Sequence, residues 1–157
     1  MALFSLGRHD TPMQSNIPQS IETRDGSYRC VRLTDGRFHL LKPGPLAHLF
    51  IGGDHILVSE KFAEVLRETC AHCLDLRRTE LVQLATGEIF GIYYEVIPHD
   101  EVTPEDVDRV RASGFHVWHF GRANLFVSAA VVEQMQQRGI DGISFSPGFS
   151  RFAGAAA

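Results

Sequence analysis

Three groups of residues have types and spacing that can do chemistry. Cys70 and Cys73 stand three apart, the spacing at which two thiols hold half of a zinc site or exchange a disulfide. His116 and His119 share that spacing, which suits a ligand pair on a helix. Asp100, Glu101, Glu105, Asp106 and Asp108 place five carboxylates within nine residues, partly offset by Arg109 and Arg111. Local pattern limits the first two groups. The cysteine pair follows an amphipathic helix instead of opening one, and the helix field there opposes thiolate formation. On a strand, residues three apart point to opposite faces, so His116 and His119 are expected to diverge into aromatic packing. Three of the acids lie at or near a helix start, where the macrodipole stabilises them. As a surface they present negative potential to a basic partner and speed encounter. These five are the expected partner-binding residues. No catalytic residue, metal ligand or cofactor is expected, and the chain lacks the GxSxG, Walker, HExxH and GxGxxG signatures.

The elements that must position these groups are organised by a stretch that occurs twice. Ile56 to Leu66 is echoed 69 positions on by Leu125 to Met135, and each copy reads as a short apolar strand, a serine and an amphipathic helix. Second strands follow at Leu74 and Ile143. Ser59 and Ser128 are expected to cap their helices through the hydroxyl. Val127 and Val132 are spaced as a hydrophobic staple, and Gly139 stands where a left-handed residue ends the second helix. On this alignment Cys70 and Cys73 fall opposite Gly139 and Gly142. The repeat is either an internal duplication or two helices obeying the same capping rules.

Around the repeat, Asp35-Gly36 predicts a two-residue hairpin turn with Leu33 facing Phe38, Val31 facing Leu40, and Arg32 beside His39 on the other side. Segments Leu74 to Leu84 and Ile89 to Ile97 predict a long antiparallel pair. Apolar residues on both faces of the latter, Phe90, Ile92, Tyr94 and Val96 against Ile89, Tyr93 and Ile97, predict a central strand. Thr103 with Pro104 and Asp106 predicts a capped helix ending at Gly114. The fold class is therefore α+β, two strand-helix-strand units with helices packed on a mostly antiparallel sheet, preceded by N-terminal β-hairpins. Residues 1–20 are expected to be a flexible leader or a strap, and 21–152 a single domain. Within it the hairpins occupy 21–45 and the repeated units 46–147, and 153–157 form a disordered tail.

At 157 residues, 44% apolar and 22% charged, the composition is that of an ordinary globular chain. A net charge of −4 argues against nucleic acid as a general partner. Three cysteines fit a reducing compartment, and no long apolar run predicts a membrane span, so a cytoplasmic location is expected.

At Leu57-Val58-Ser59-Glu60-Lys61-Phe62, at Gly114 to Phe120 through Leu125-Phe126-Val127-Ser128, and at Gly139 to Phe145, the chain resembles the immunity proteins of bacterial polymorphic toxin systems. It is most similar to the group numbered eleven in that series. It also resembles the myxobacterial double-CxxCG proteins, although neither cysteine of the Cys70 pair is followed by glycine and a second pair is missing. The resemblance covers residues 46–147 and implies a protein that binds and neutralises a cognate toxin. A competing class is a zinc-supported binding or regulatory module using Cys30, Cys70 and Cys73 with His39 or His72. A third is a small enzyme around His116, His119 and the nearby acids.

Overall fold

Ser59 closes a strand and opens a helix, and the same step recurs at Ser128. Two copies of one unit follow from it. The computed structural model describes residues 17–107, 110, 114–121 and 124–148, and within them the chain is α+β. In the first copy, β4 (Leu49–Ile51) and β5 (Ile56–Ser59) form a hairpin and α1 (Glu60–Cys70) follows. β6 (Leu74–Gln83) and β7 (Glu88–Pro98) then form the long antiparallel pair. Because β7 pairs antiparallel with both β5 and β6, those two strands run parallel with β7 between them. In the second copy, β8 (Val117–Phe120), β9 (Asn124–Val127), α3 (Ala129–Gln137) and β10 (Ile143–Pro147) repeat the order, but the strand between β9 and β10 is β1 (Gln19–Thr23). A short helix, α2 (Pro104–Val107), lies on the β7–β8 connection.

The two registers superpose residue for residue. A shift of 69 carries β5, α1 and β6 onto β9, α3 and β10, a shift of 68 carries β4 onto β8, and a shift of 75 back carries β7 onto β1. Val58 opposite Tyr94 then becomes Val127 opposite Gln19, and Leu76 opposite Val96 becomes Phe145 opposite Ile21. Loop hydrogen bonds follow. Ser59 N donates to His48 O and Ser128 N to His116 O, both at 2.9 Å; His99 N donates to Cys73 O at 3.0 Å and Arg24 N to Gly142 O at 2.8 Å. Ile51 of β4 bridges Ser27, which follows β1, while His119 of β8 bridges Glu101, which follows β7. Each unit's middle strand thus runs on to the edge of the other unit.

The shared core lies between the copies. Phe62, Val65 and Leu66 of α1 meet Val131 and Met135 of α3, with Leu49, Val58 and Val96 from one sheet and Ile21, Val117 and Val127 from the other. The spacing of Phe62, Val65, Leu66 and Cys70 gives α1 its single apolar stripe.

The six-stranded sheet, in the order β2 (Cys30–Arg32), β3 (Phe38–Leu40), β6, β7, β5, β4, curls until its edges meet. Tyr28 N donates to Ile51 O at 2.8 Å just before β2 begins, closing the sheet around Cys30, Phe38, Leu40, Phe50, Leu57, Leu81 and Tyr93.

Several expectations change. The β2–β3 turn is a three-residue loop, Thr34-Asp35-Gly36, with Gly36 at φ 91°, so Arg32 faces Phe38 and Val31 faces His39. The one-residue shift puts Arg32 over the Phe38 ring at 5.0 Å. Ser59 caps as expected, accepting from Phe62 N at 3.2 Å, but the Ser128 hydroxyl accepts from His116 N at 3.0 Å and makes no bond to α3. A β-bulge between Leu81 and Val82 moves Phe90 off the face of Ile92 and Tyr94 and onto the Tyr93 cluster. The leader boundary at residue 20 falls inside β1, while the expected tail lies outside the described residues.

Because β1 fills the centre of the second sheet, removing residues through Arg24 is expected to abolish cooperative unfolding measured by circular dichroism. Ile21→Ala, which empties one buried site, should cost about 2–4 kcal/mol in a urea titration.

Candidate functional site

The β7–β8 connection carries the predicted acids. Its backbone is tied to β8 by Val102 N to His119 O and His119 N to Asp100 O, each 2.9 Å. Buried Val102 anchors it against Trp118 and Phe126. That pinning turns the carboxylates outward: Asp100, Glu101, Glu105 and Asp106 are all exposed, with exposed Ile97 and Phe115 near the ends of the segment. Thr103 meets the Asp106 side chain at 3.0 Å, a side-chain bond in place of the expected capping geometry. Asp108 and the helix end at Gly114 belong to a stretch that is not fully described, and Asp108, Arg109 and Arg111 lie outside the described residues.

Beside this connection is a cavity of about 240 Å³ lined by the β4–β5 turn, the end of β7, His119 and Gly121. One wall is a charged cluster at an end of the closed sheet. Arg32 grips Glu95 with two donors, at 2.7 and 3.2 Å, Arg77 adds a third, and Arg32 also reaches Asp54 at 3.2 Å. Asp54 holds His55 Nδ1 at 2.7 Å. The His55 ring lies against Gly52, where a Cβ would come within 2.2 Å of it, and 4.8 Å from Phe38. The imidazole is thus locked into the wall of the closed sheet.

Burial would raise the Glu95 carboxyl, but hydrogen bonds from Arg32 and then Arg77 outweigh it and hold the group below its ordinary value. Asp54 is also held low, first by its bond to His55. Sequence reasoning missed this cluster because Arg32 and Glu95 are 63 residues apart and the hairpin register that aims Arg32 inward was shifted. A carboxylate at Glu95, in a strand expected to be covered on both faces, was the available signal.

The cysteines do not gather. Cys30 lies inside the closed sheet, whereas Cys70 and Cys73 lie in the shared core. Burial pushes the Cys30 and Cys70 thiols up to about 12. His39 accepts from Leu84 N at 3.3 Å, away from the Cys70 pair in the fold. His116 and His119 diverge as expected, His116 tilting onto Trp118 at 4.5 Å between ring centres and His119 bonding to Gly121 O at 2.8 Å. What the fold brings together instead is His72, Cys73 and His116. No helix of the described residues is long and apolar enough to cross a membrane. Comparison with protein-family models, curated proteins and solved structures gives no match.

The folded-state value of Glu95 is depressed, so its contribution is fully present above the unfolded carboxylate value near pH 4.3 and is lost as pH falls through the lower, folded value. Glu95→Gln should therefore flatten the acid limb of a stability-versus-pH curve. At pH 7 it should cost about 2 kcal/mol, below a fully buried pair because both arginines are a third or more exposed.

Proposed function

We propose that the chain is an immunity-type binding protein that acts in the cytoplasm by binding and neutralising a cognate bacterial toxin. The observation that carries this reading is the outward acidic connection: four exposed carboxylates on a segment pinned to β8 at Asp100 and Val102, accompanied by exposed Ile97 and Phe115. Fixed negative charge beside apolar surface suits a basic protein partner. The charge speeds encounter and the apolar side chains slow release. Pinning matters because a segment already ordered loses little entropy on binding. The sequence resemblance points to the same class of activity, and its toxin would bury on the order of 1,600 Å² in a tight complex.

Co-expression with the product of the adjacent gene, scored by growth and by recovery of a complex, tests the reading. Protection with a co-purifying partner is expected; neither protection nor complex overturns it. In the recovered complex, the triple change Glu101→Lys, Glu105→Lys, Asp106→Lys should slow association by roughly tenfold or more at low salt and flatten its salt dependence. Asp100 is left in place there because it bonds His116.

A further inference from the structure

The turn after α1 and the segment entering β8 meet at the surface of the shared core. His72 and Cys73 come from the turn, His116 from the segment, and one ligand atom from each lies within 4.8 Å of the other two. Two of the three are already fixed. The His116 ring rests on Trp118, its Nε2 is 2.9 Å from Asp100 Oδ2, and its backbone N donates to Ser128 Oγ. Cys73 is buried, and its S–H donates to Cys70 O at 3.3 Å. His72 is exposed, its ring 6.1 Å from that of His116.

We propose that His72, Cys73 and His116 form a divalent-metal site of the zinc class, with Asp100 orienting His116. Two imidazoles and one thiolate are a donor set that favours zinc over calcium or magnesium, which take oxygen. Zinc bond lengths require ligand atoms roughly 3.5 Å apart, so the cluster must close by about 1 Å. His72 is exposed, so its side chain has room to rotate toward the other two as the cluster closes. On binding, the Cys73 S–H bond breaks, its proton passes to the buffer, and the freed electron pair forms the metal–sulfur bond; nothing is oxidised or reduced. Asp100, accepting from Nε2–H of His116, leaves Nδ1 with the lone pair and fixes the ring for the metal.

The repeat supplies an internal control. The shifts of 69 and 68 carry His72, Cys73 and His116 onto Asp141, Gly142 and His48. The cross-unit contact persists there, His48 Nε2 lying 3.6 Å from Asp141. Gly142 offers no ligand, so the second position lacks the sulfur and one metal ion per chain is expected. The inference is independent of toxin binding, since a metal site can exist with or without a partner.

The test uses the full chain purified without a histidine tag and titrated with Co²⁺, then with Zn²⁺ in competition. One equivalent of cobalt should bind with tetrahedral visible bands and a thiolate-to-cobalt band in the near ultraviolet, both removed by zinc. His72→Ala, at an exposed position, should weaken binding by about 100-fold, and Asp100→Asn by about 10–100-fold. Asp141→Asn should leave it unchanged. Cys73→Ser should lose the ultraviolet band; should that variant fail to fold, His72→Ala carries the test. Absence of the band in the unaltered protein, or unchanged affinity in His72→Ala, overturns the proposal, as does an equal loss in Asp141→Asn.

Discussion

A helix that crosses between two parallel strands set one strand apart leaves a row of backbone donors and acceptors that only a third strand can meet. Unpaired, those groups would be buried against the helix at a cost of several kcal/mol each. β7 meets the requirement in the first unit by turning back directly from β6. In the second unit β10 is the last described strand, and the requirement is met by β1, from the other end of the described chain. The second unit therefore cannot be completed without residues that precede the first. The two units share one core for the same reason: the chain enters one unit's sheet, builds the other, and returns.

The closed six-stranded sheet poses a different problem, because a small barrel must fill its ends as well as its middle. Aromatic and aliphatic side chains fill the middle. One end holds Arg32, Arg77 and Glu95. Near Phe50, buried Arg29 donates to the carbonyls of Asp25, Lys42 and Pro45 with its guanidinium 5.3 Å from the ring centre. Arginine suits both places. Its stem covers apolar surface while its fork satisfies several acceptors, and its charge survives burial where a lysine would tend to lose its proton. The charged groups then tie the β2–β3 hairpin to β6 and β7, where β3 and β6 exchange only a two-residue parallel pairing.

Local features were legible in the sequence and long-range ones were not. The helix starts at Ser59 and Ser128, the long β6–β7 pair and the central position of β7 all follow from residues close in sequence, and the structure has each of them. The β2–β3 register was missed because Asp-Gly also suits a three-residue loop with glycine at positive φ, and the apolar pattern alone did not separate the two. β1 was missed because Gln19 to Thr23 is polar except for Ile21; its partners lie more than 100 residues away, and buried Ser20 meets Ser146 at 3.0 Å. The acidic surface was visible as composition. The His72, Cys73 and His116 cluster was not, since His116 is 43 residues from Cys73, although the repeat held a clue. His48 and His116 occupy the same place in the two copies, and the residues they approach, Asp141 and His72, also match.

The repeat also separates what holds the chain together from what it shows to solvent. Equivalent positions that agree in character, Val58 with Val127, Phe62 with Val131, Val96 with Ile21, line the shared core. Among the equivalent positions that differ are those where the middle strands leave their sheets. After β1 the chain continues into β2 and the closed sheet, and Gly26 is buried there: a Cβ on it would sit 1.9 Å from Leu49 O, while bridged Ser27 stays exposed. After β7 the corresponding residues are Asp100 and Glu101, on an edge that stays at the surface. One backbone arrangement thus has two uses. Where the residue beside the bridge is buried, close packing demands glycine; where it faces outward, the same hydrogen bonds hold carboxylates in fixed positions.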